Sequence, residues 1–213
     1  MQWSALATMQ INRHLEQALF RIVFLRRCLL LASTILLCAC SPKLDWRTVQ
    51  STQEGYTALF PGKPDRMERK IPYHTQELQQ TLEAVKIDKD IYSISSVYFS
   101  PQQAELLPKL LGSLENNLFG NAGVDQLTAV HSASIYQTAK RQQFAVKDYF
   151  LEFKSVGSTQ QAMRVRWLTR PSLNGGIWLY QVSILHAGPV QPDAKTFFST
   201  EECANFFDEF HPD

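Results

Sequence analysis

Three successive segments in the C-terminal half alternate apolar and polar residues, and this pattern constrains the fold most strongly. A period of two is typical of strands that bury one face. The segments predict an antiparallel meander with one shared inner surface, on which Tyr149, Trp167 and Tyr180 form an aromatic cluster. The alternating apolar residues are Tyr149, Leu151, Phe153, Met163, Val165, Trp167, Trp178, Tyr180, Val182 and Ile184.

The preceding and following segments supply further strands and two helices. Apolar residues spaced three and four apart predict a surface helix that begins at Ser100-Pro101 and ends near Gly120, with Pro108 kinking or splitting it. A second helix is predicted over 200–210, where Cys203 shares the phenylalanine-rich face and is interpreted as a small buried hydrophobe. The predicted strands are Tyr56–Phe60, Leu78–Ile87, Ile91–Phe99, Leu127–Gln137, Phe144–Lys154, Met163–Arg170 and Ile177–Leu185.

These elements predict an α+β domain over residues 54–213, with a single antiparallel sheet of about six or seven strands and helices packed on it. Three segments also resemble a family: Tyr56-Thr-Ala-Leu-Phe-Pro-Gly-Lys-Pro64, Trp178-Leu-Tyr-Gln-Val-Ser183 and Phe206-Phe-Asp-Glu-Phe210. They look like a group of uncharacterised bacterial secreted and lipid-anchored domains, whose fold is similar to the PsbP-like α-β-α sandwich. The resemblance implies an architecture and no activity.

A charged and then apolar segment near the N-terminus predicts where the chain goes. Arg26 and Arg27 precede an uncharged run from Cys28 to Cys40, which is shorter than the ~20 apolar residues that a membrane-spanning helix needs. The run ends in Leu37-Cys38-Ala39-Cys40 and resembles the lipobox of bacterial lipoprotein signals. We therefore expect residues 1–39 to be a lipoprotein signal peptide, Cys40 to carry lipid, and residues 40–53 to form a tether.

The residue after the modified cysteine indicates which membrane holds the anchor. Ser41 stands where the resemblance implies an aspartate for retention at the inner membrane, so the outer membrane, facing the periplasm, is favoured. Translation that starts near Val23 or Leu25 remains an alternative that would explain the long lead-in. With Cys40 lipidated, Cys203 has no cysteine partner in the mature chain, and an intramolecular disulfide is excluded.

The sequence contains no assembled catalytic or metal-binding motif. A formal charge of +1 gives no basic field that would attract nucleic acid. No Gly-x-Ser-x-Gly turn is present, and the histidines of the mature chain lack the spacing of metal ligands, so neither a catalytic residue nor a cofactor is predicted. These histidines are His74, His131, His186 and His211.

Basic residues on the meander supply one candidate binding surface. Lys147, Arg164 and Arg166 are predicted to form a patch for an anionic ligand of the envelope. The favoured alternative is a solvated sheet face on which Arg164 and Arg166 form cross-strand ion pairs with Asp148 and Glu152.

The sequence therefore predicts a lipid-anchored periplasmic domain of non-catalytic binding or assembly type, with a protein or another envelope component as partner. One alternative is an envelope hydrolase with a dispersed site, such as His131 or His186 beside Asp148. Another is a subunit of a larger envelope complex. In that case a partner covers the apolar residues on the second face of the meander, which are otherwise covered by the first helix. These residues are Phe144, Val146 and Phe150.

Overall fold

The computed structural model describes residues 44–73, 75–137, 143–153 and 160–212, and Leu44–Asp213 form one unit. The strands are β1 (Arg47–Ser51), β2 (Tyr56–Phe60), β3 (Asp65–Tyr73), β4 (Gln76–Ile87), β5 (Asp90–Phe99), β6 (His131–Gln137), β7 (Gln143–Phe153), β8 (Gln161–Pro171), β9 (Ile177–His186) and β10 (His211–Pro212). The helices are α1 (Leu106–Ala122), α2 (Ala194–Phe197) and α3 (Glu201–Asp208), and a 3₁₀ turn covers Pro101–Gln103.

The strands form two antiparallel sheets. The large sheet has seven strands in the order β3-β4-β5-β9-β8-β7-β6, and the small sheet has the order β1-β2-β10. The β5–β9 pairing, in which Ile94 lies opposite Val182, joins the first hairpin to the C-terminal meander. The unit includes β1, which lies within the stretch predicted as a tether.

The predicted α+β class is wrong, because strands account for 52% and helices for only 21% of the described structure. The expected PsbP-like α-β-α sandwich with one sheet is therefore also corrected. One face of the large sheet carries the single long helix α1, whereas the other carries the small sheet with two helices of 4 and 8 residues. Strands β1, β3 and β10 were not expected, and β3 extends the large sheet along nine residues of β4.

The meander buries apolar residues on both faces rather than on one. Tyr149 and Trp167 contact each other as predicted, with ring centroids 5.9 Å apart. Trp167, however, lies opposite Gln181, while Tyr180 lies opposite Leu168 on the other face. Because a shift of one residue in register exchanges the two faces of a strand, the apolar set of β9 faces away from that of β8.

The larger core lies between the large sheet, the small sheet and the two C-terminal helices. Phe206 of α3 packs against Phe60 and Tyr92, each with ring centroids 5.3 Å away. Cys203 is buried in this core, as predicted. The second-face residues of β7 face the same core and are therefore covered by the C-terminal elements, not by the first helix. They are Phe144, Val146 and Phe150.

The smaller core on the other face is covered by α1. Leu110 packs with residues of β4, β5 and β9, whereas Phe119 packs with residues of β7 and β8, so the helix crosses the strands obliquely. Pro108 lies in the first turn of α1, where its missing N–H removes no intrahelical bond. The helix ends at Ala122, not at the predicted Gly120, and is capped by Gly123, whose φ of +66° is left-handed.

A single helix leaves part of this sheet face open. Seven strands about 4.8 Å apart span roughly 30 Å, whereas a helix with its side chains is about 10 Å wide. A partly enclosed space therefore remains between α1 and strands β3, β4, β5 and β9. None of the helices in the described ranges is long and apolar enough to cross a bilayer.

Candidate functional site

Two of the three residues of the predicted anionic-ligand patch lie inside the protein. Arg164 and Arg166 are 7% and 3% exposed, and both contact Asp148, which is 1% exposed. Arg164 Nε donates to Asp148 Oδ2 over 3.0 Å, and Arg166 Nε donates to Oδ1 over 2.5 Å. We call these three residues the Asp148 clamp.

The Asp148 clamp fastens the C-terminal elements to the large sheet. Arg164 donates to the carbonyl oxygen of Phe198 over 3.1 Å, and Arg166 donates to that of Phe207 over 2.9 Å. The Arg164 guanidinium also lies 3.9 Å from the centre of the Phe207 ring. Both guanidinium groups are thus occupied by protein atoms, which gives them a structural role.

The structure does not bring the predicted patch together. Lys147 precedes Asp148 on β7, so its exposed side chain lies on the opposite face of the sheet from Arg164 and Arg166. The expected cross-strand pairing of Asp148 with both arginines is present, but it is buried rather than solvated. Glu152 instead accepts a hydrogen bond from the backbone N–H of Ala194.

A second polar cluster, centred on Glu54, joins the small sheet to β3 and β4. Glu54 is 1% exposed and accepts hydrogen bonds from Arg66 over 2.6 Å and from Thr81 over 2.9 Å. Arg66 also donates to Glu83 over 3.3 Å, and Tyr56 donates its phenolic proton to the other oxygen of Glu83. We call this set, with Ser51, the Glu54 cluster.

The Glu54 cluster fixes the protonation of its members. Burial acts to raise the pKa of Glu54, but hydrogen bonds from Arg66, Ser51 and Thr81 outweigh it and leave the pKa below 4.5. Burial, together with the bond to Glu83, raises the pKa of Tyr56, so the phenol stays neutral and donates. An open polar cleft lies beside the cluster, but the ionised groups in it are paired with one another.

Because the pKa of Glu54 is lowered by folding, its contribution to stability is expected to be complete above about pH 4.5 and to be lost as the pH falls through the lower folded value. Glu54→Gln is expected to lower the free energy of unfolding by about 1.5–3 kcal/mol at neutral pH, since a hydrogen-bonded charge is removed. The difference from the wild type should shrink in acid, as measured by urea unfolding at several pH values.

The control for this experiment is Glu68→Gln, which removes a 46%-exposed partner of the same Arg66. It is expected to change the free energy of unfolding by about 1 kcal/mol or less. A Glu54→Gln difference that stays constant between neutral pH and about pH 3 would contradict the assigned direction of the pKa shift.

The space under α1 is the most ligand-like feature of the described residues. This α1 groove has a cavity volume of about 260 Å³. Its apolar wall consists of Ile71, Leu82, Val97, Leu110, Leu114 and Leu179. Its polar rim consists of Arg69, Gln80, Ser95 and Gln181. Apolar walls with a few polar groups at one side are typical of sites for small ligands.

The histidines proposed for a hydrolase do not lie beside Asp148. His131 lies opposite Tyr149, and so faces the other side of the sheet from Asp148. His186 lies on the same face as Asp148, but its register position is four residues away along β7, or about 13 Å. Its Nδ1 instead lies 2.6 Å from Asp90 Oδ1.

The other side chains considered for chemistry have structural surroundings. Burial raises the pKa of the Cys203 thiol, which disfavours the nucleophilic thiolate. His211 contacts Tyr136, and His74 lies outside the described residues. Within the ranges that the structure covers, no three His, Cys, Asp or Glu side chains are grouped so that they could hold a metal ion.

Glu54, Arg66 and the α1 groove were not predicted from the sequence. Arg66 and Arg69 lie on β3, which was not predicted, although Met67, Ile71 and Tyr73 all fall on one face of a period-two pattern there. That alternation was a signal for a strand. Glu54 lies in a turn, and only the tertiary fold brings it to Arg66 and Thr81.

Comparison with known proteins does not assign an activity to these surfaces. No family model matches the chain, and no curated protein matches it at a significant level. What the protein does is therefore inferred from its own residues and their geometry.

Proposed function

We propose that this protein is a lipid-anchored domain of the bacterial cell envelope, with a non-catalytic binding role. The anchor is the lipid on Cys40, and Ser41 favours the outer membrane, with the domain facing the periplasm. Cys40 and the signal segment lie outside the described residues. The support for the anchor is therefore the order of charged residues, apolar run and lipobox in the sequence.

The α1 groove is the observation that carries the binding role. It combines an apolar wall with a polar rim, and it is partly enclosed by α1 and four strands. The Asp148 clamp and the Glu54 cluster, by contrast, use their charges to hold layers of the protein together. A ligand can therefore enter the α1 groove without displacing an ion pair that the fold needs.

One observation also favours assembly with a protein partner. Strand β6 ends the described part of the large sheet, and it contains no Lys, Arg, Asp, Glu or Pro. The opposite edge strand, β3, is protected by charged residues and Pro72. Ile135 of β6 is 70% exposed. A protein that is cross-linked in stoichiometric yield to a photoreactive amino acid placed at position 135 in intact envelopes would favour this second function over the binding of a small ligand.

Metabolic labelling tests the anchor. Cells fed radiolabelled palmitate are expected to label the wild-type protein, and Cys40→Ser is expected to lose the label and leave the membrane fraction, because the acyl chains supply the membrane affinity. Cys38→Ser is the matched control, since it changes the neighbouring cysteine of the same segment. The proposal fails if Cys40→Ser is still labelled. It also fails if the wild-type protein incorporates no palmitate and fractionates with the cytosol.

A further inference from the structure

We propose that the α1 groove binds one free long-chain fatty acid, with the alkyl chain under α1 and the carboxylate on Arg69. This inference rests on the proposed binding function and names its ligand. It does not depend on where the protein is anchored, because the residues that carry it all lie in the described domain.

The apolar wall of the α1 groove suits a single narrow chain. Leu110 and Leu114 contribute from the helix, and Val97 and Leu179 contribute from the centre of the sheet. The volume of about 260 Å³ is below the roughly 300–1,000 Å³ of sites for drug-sized ligands. A lipid with two chains and a large head group would exceed this space, whereas a single methylene chain can lie partly within it and gains from the apolar area that leaves water.

The rim supplies one positive charge that can pair with a carboxylate. Arg69 is exposed, and its Nε donates to Gln80 Oε1 over 2.6 Å. Gln80 in turn donates to Ser95 Oγ over 2.7 Å, so the orientation of Gln80 is fixed from the next strand. Among the described residues, the two terminal nitrogens of Arg69 have no hydrogen-bond acceptor. A planar carboxylate can accept two parallel hydrogen bonds from a guanidinium group.

The charge around the α1 groove matches the same ligand. Among the described residues its lining includes no Asp or Glu, so an anionic head group meets no like charge from them. Glu68 and Lys70 flank Arg69 along β3, but their side chains lie on the opposite face of the strand. Arg69 is therefore the one ionised side chain that the described part of the chain contributes to the lining of the groove.

Photo-crosslinking tests the proposal on the full-length protein in phosphatidylcholine vesicles. The probe is palmitate that carries a diazirine on its alkyl chain, and the adducts are located by mass spectrometry. We expect adducts in the peptides that contain α1, β4 and β5, and competition by unmodified palmitate. Competition by lysophosphatidylcholine or dodecanol at equal concentration would overturn the preference for a carboxylate.

Three variants separate the groove from non-specific labelling. Arg69→Ala is expected to reduce adduct yield about tenfold, the loss that one charge-assisted hydrogen-bonded pair gives. Leu114→Trp is expected to abolish labelling by filling the cavity. Lys70→Ala, on the same strand but the opposite face, is the matched control and should label like the wild type.

The outcomes distinguish this inference from the proposed function. Adducts spread evenly over the surface, or a yield that Arg69→Ala leaves unchanged, would overturn the fatty-acid site even where Cys40 is lipidated. Groove labelling that depends on Arg69 would support the site even where Cys40 proves to carry no lipid. Because Arg69 is exposed and bonds only Gln80 in the described residues, circular dichroism is expected to show that Arg69→Ala folds normally.

Discussion

Asp148→Ala is expected to destabilise the protein by about 3–5 kcal/mol, because it leaves the buried Arg164 without a counter-charge and leaves Arg166 only the exposed Asp208, 4.0 Å away. Arg164 and Arg166 are both less than a tenth exposed, and each shares the single carboxylate of Asp148. Their contacts with the carbonyl oxygens of Phe198 and Phe207 remain, but carbonyl dipoles do not neutralise two positive charges. Urea unfolding followed by tryptophan fluorescence measures the loss.

Two further variants show that the loss comes from charge. Asp148→Asn keeps the volume and one acceptor oxygen but removes the charge, so its destabilisation should approach that of Asp148→Ala. Replacing all three residues of the Asp148 clamp by Leu or Met of similar volume is expected to be close to neutral, since no charge then stays buried. If Asp148→Ala lowered the free energy of unfolding by less than about 1 kcal/mol, the burial of the Asp148 clamp would be contradicted.

Local sequence patterns were sufficient to find most strands. Alternation identified β7, β8 and β9 to within a few residues of their observed bounds. The strands β1 and β3 were missed because the first is short and polar and the second carries five charged residues. A charged edge strand is predicted to be a loop when only hydrophobicity is considered. Charged residues are nevertheless a common way to protect an edge strand from pairing with another chain.

The layers of the fold could not be predicted from the same patterns. Period-two alternation shows that a strand has an apolar face, but not which side of the sheet that face occupies. The register that places Trp167 opposite Gln181 sends Tyr180 to the other face. The relation between the faces of β8 and β9 depends on the connection between them, and an apolar pattern does not determine it.

The candidate sites could not be predicted from the sequence, because they too depend on which elements cover each face of the sheet. Arg164 and Arg166 looked like surface residues because charged side chains are rarely buried. They are buried because α2 and α3 cover the second face of the meander. The prediction of a single inner surface had left the two arginines on a face exposed to solvent. Arg69 and Leu114 meet at the α1 groove only because the helix crosses the strands obliquely.

Phe206→Ala is the second substitution with a large expected effect, at about 3–5 kcal/mol. Phe206 is fully buried and contacts the rings of Phe60, Tyr92 and Phe207 at centroid distances of 5.3–5.7 Å. These contacts join α3 to both sheets, so the cavity left by alanine lies where three elements meet. The melting temperature should fall by roughly 6–20 °C for a domain of this size.

Two comparison variants make the result specific to packing at this position. Phe206→Leu fills most of the volume and should cost less than Phe206→Ala, while Leu173→Ala, at a fully exposed leucine, should change the free energy of unfolding by no more than about 0.5 kcal/mol. Hydrogen exchange should also be faster in α3 of Phe206→Ala, because its docking contact is lost. Equal melting temperatures for Phe206→Ala and Leu173→Ala would mean that α3 does not dock between the two sheets.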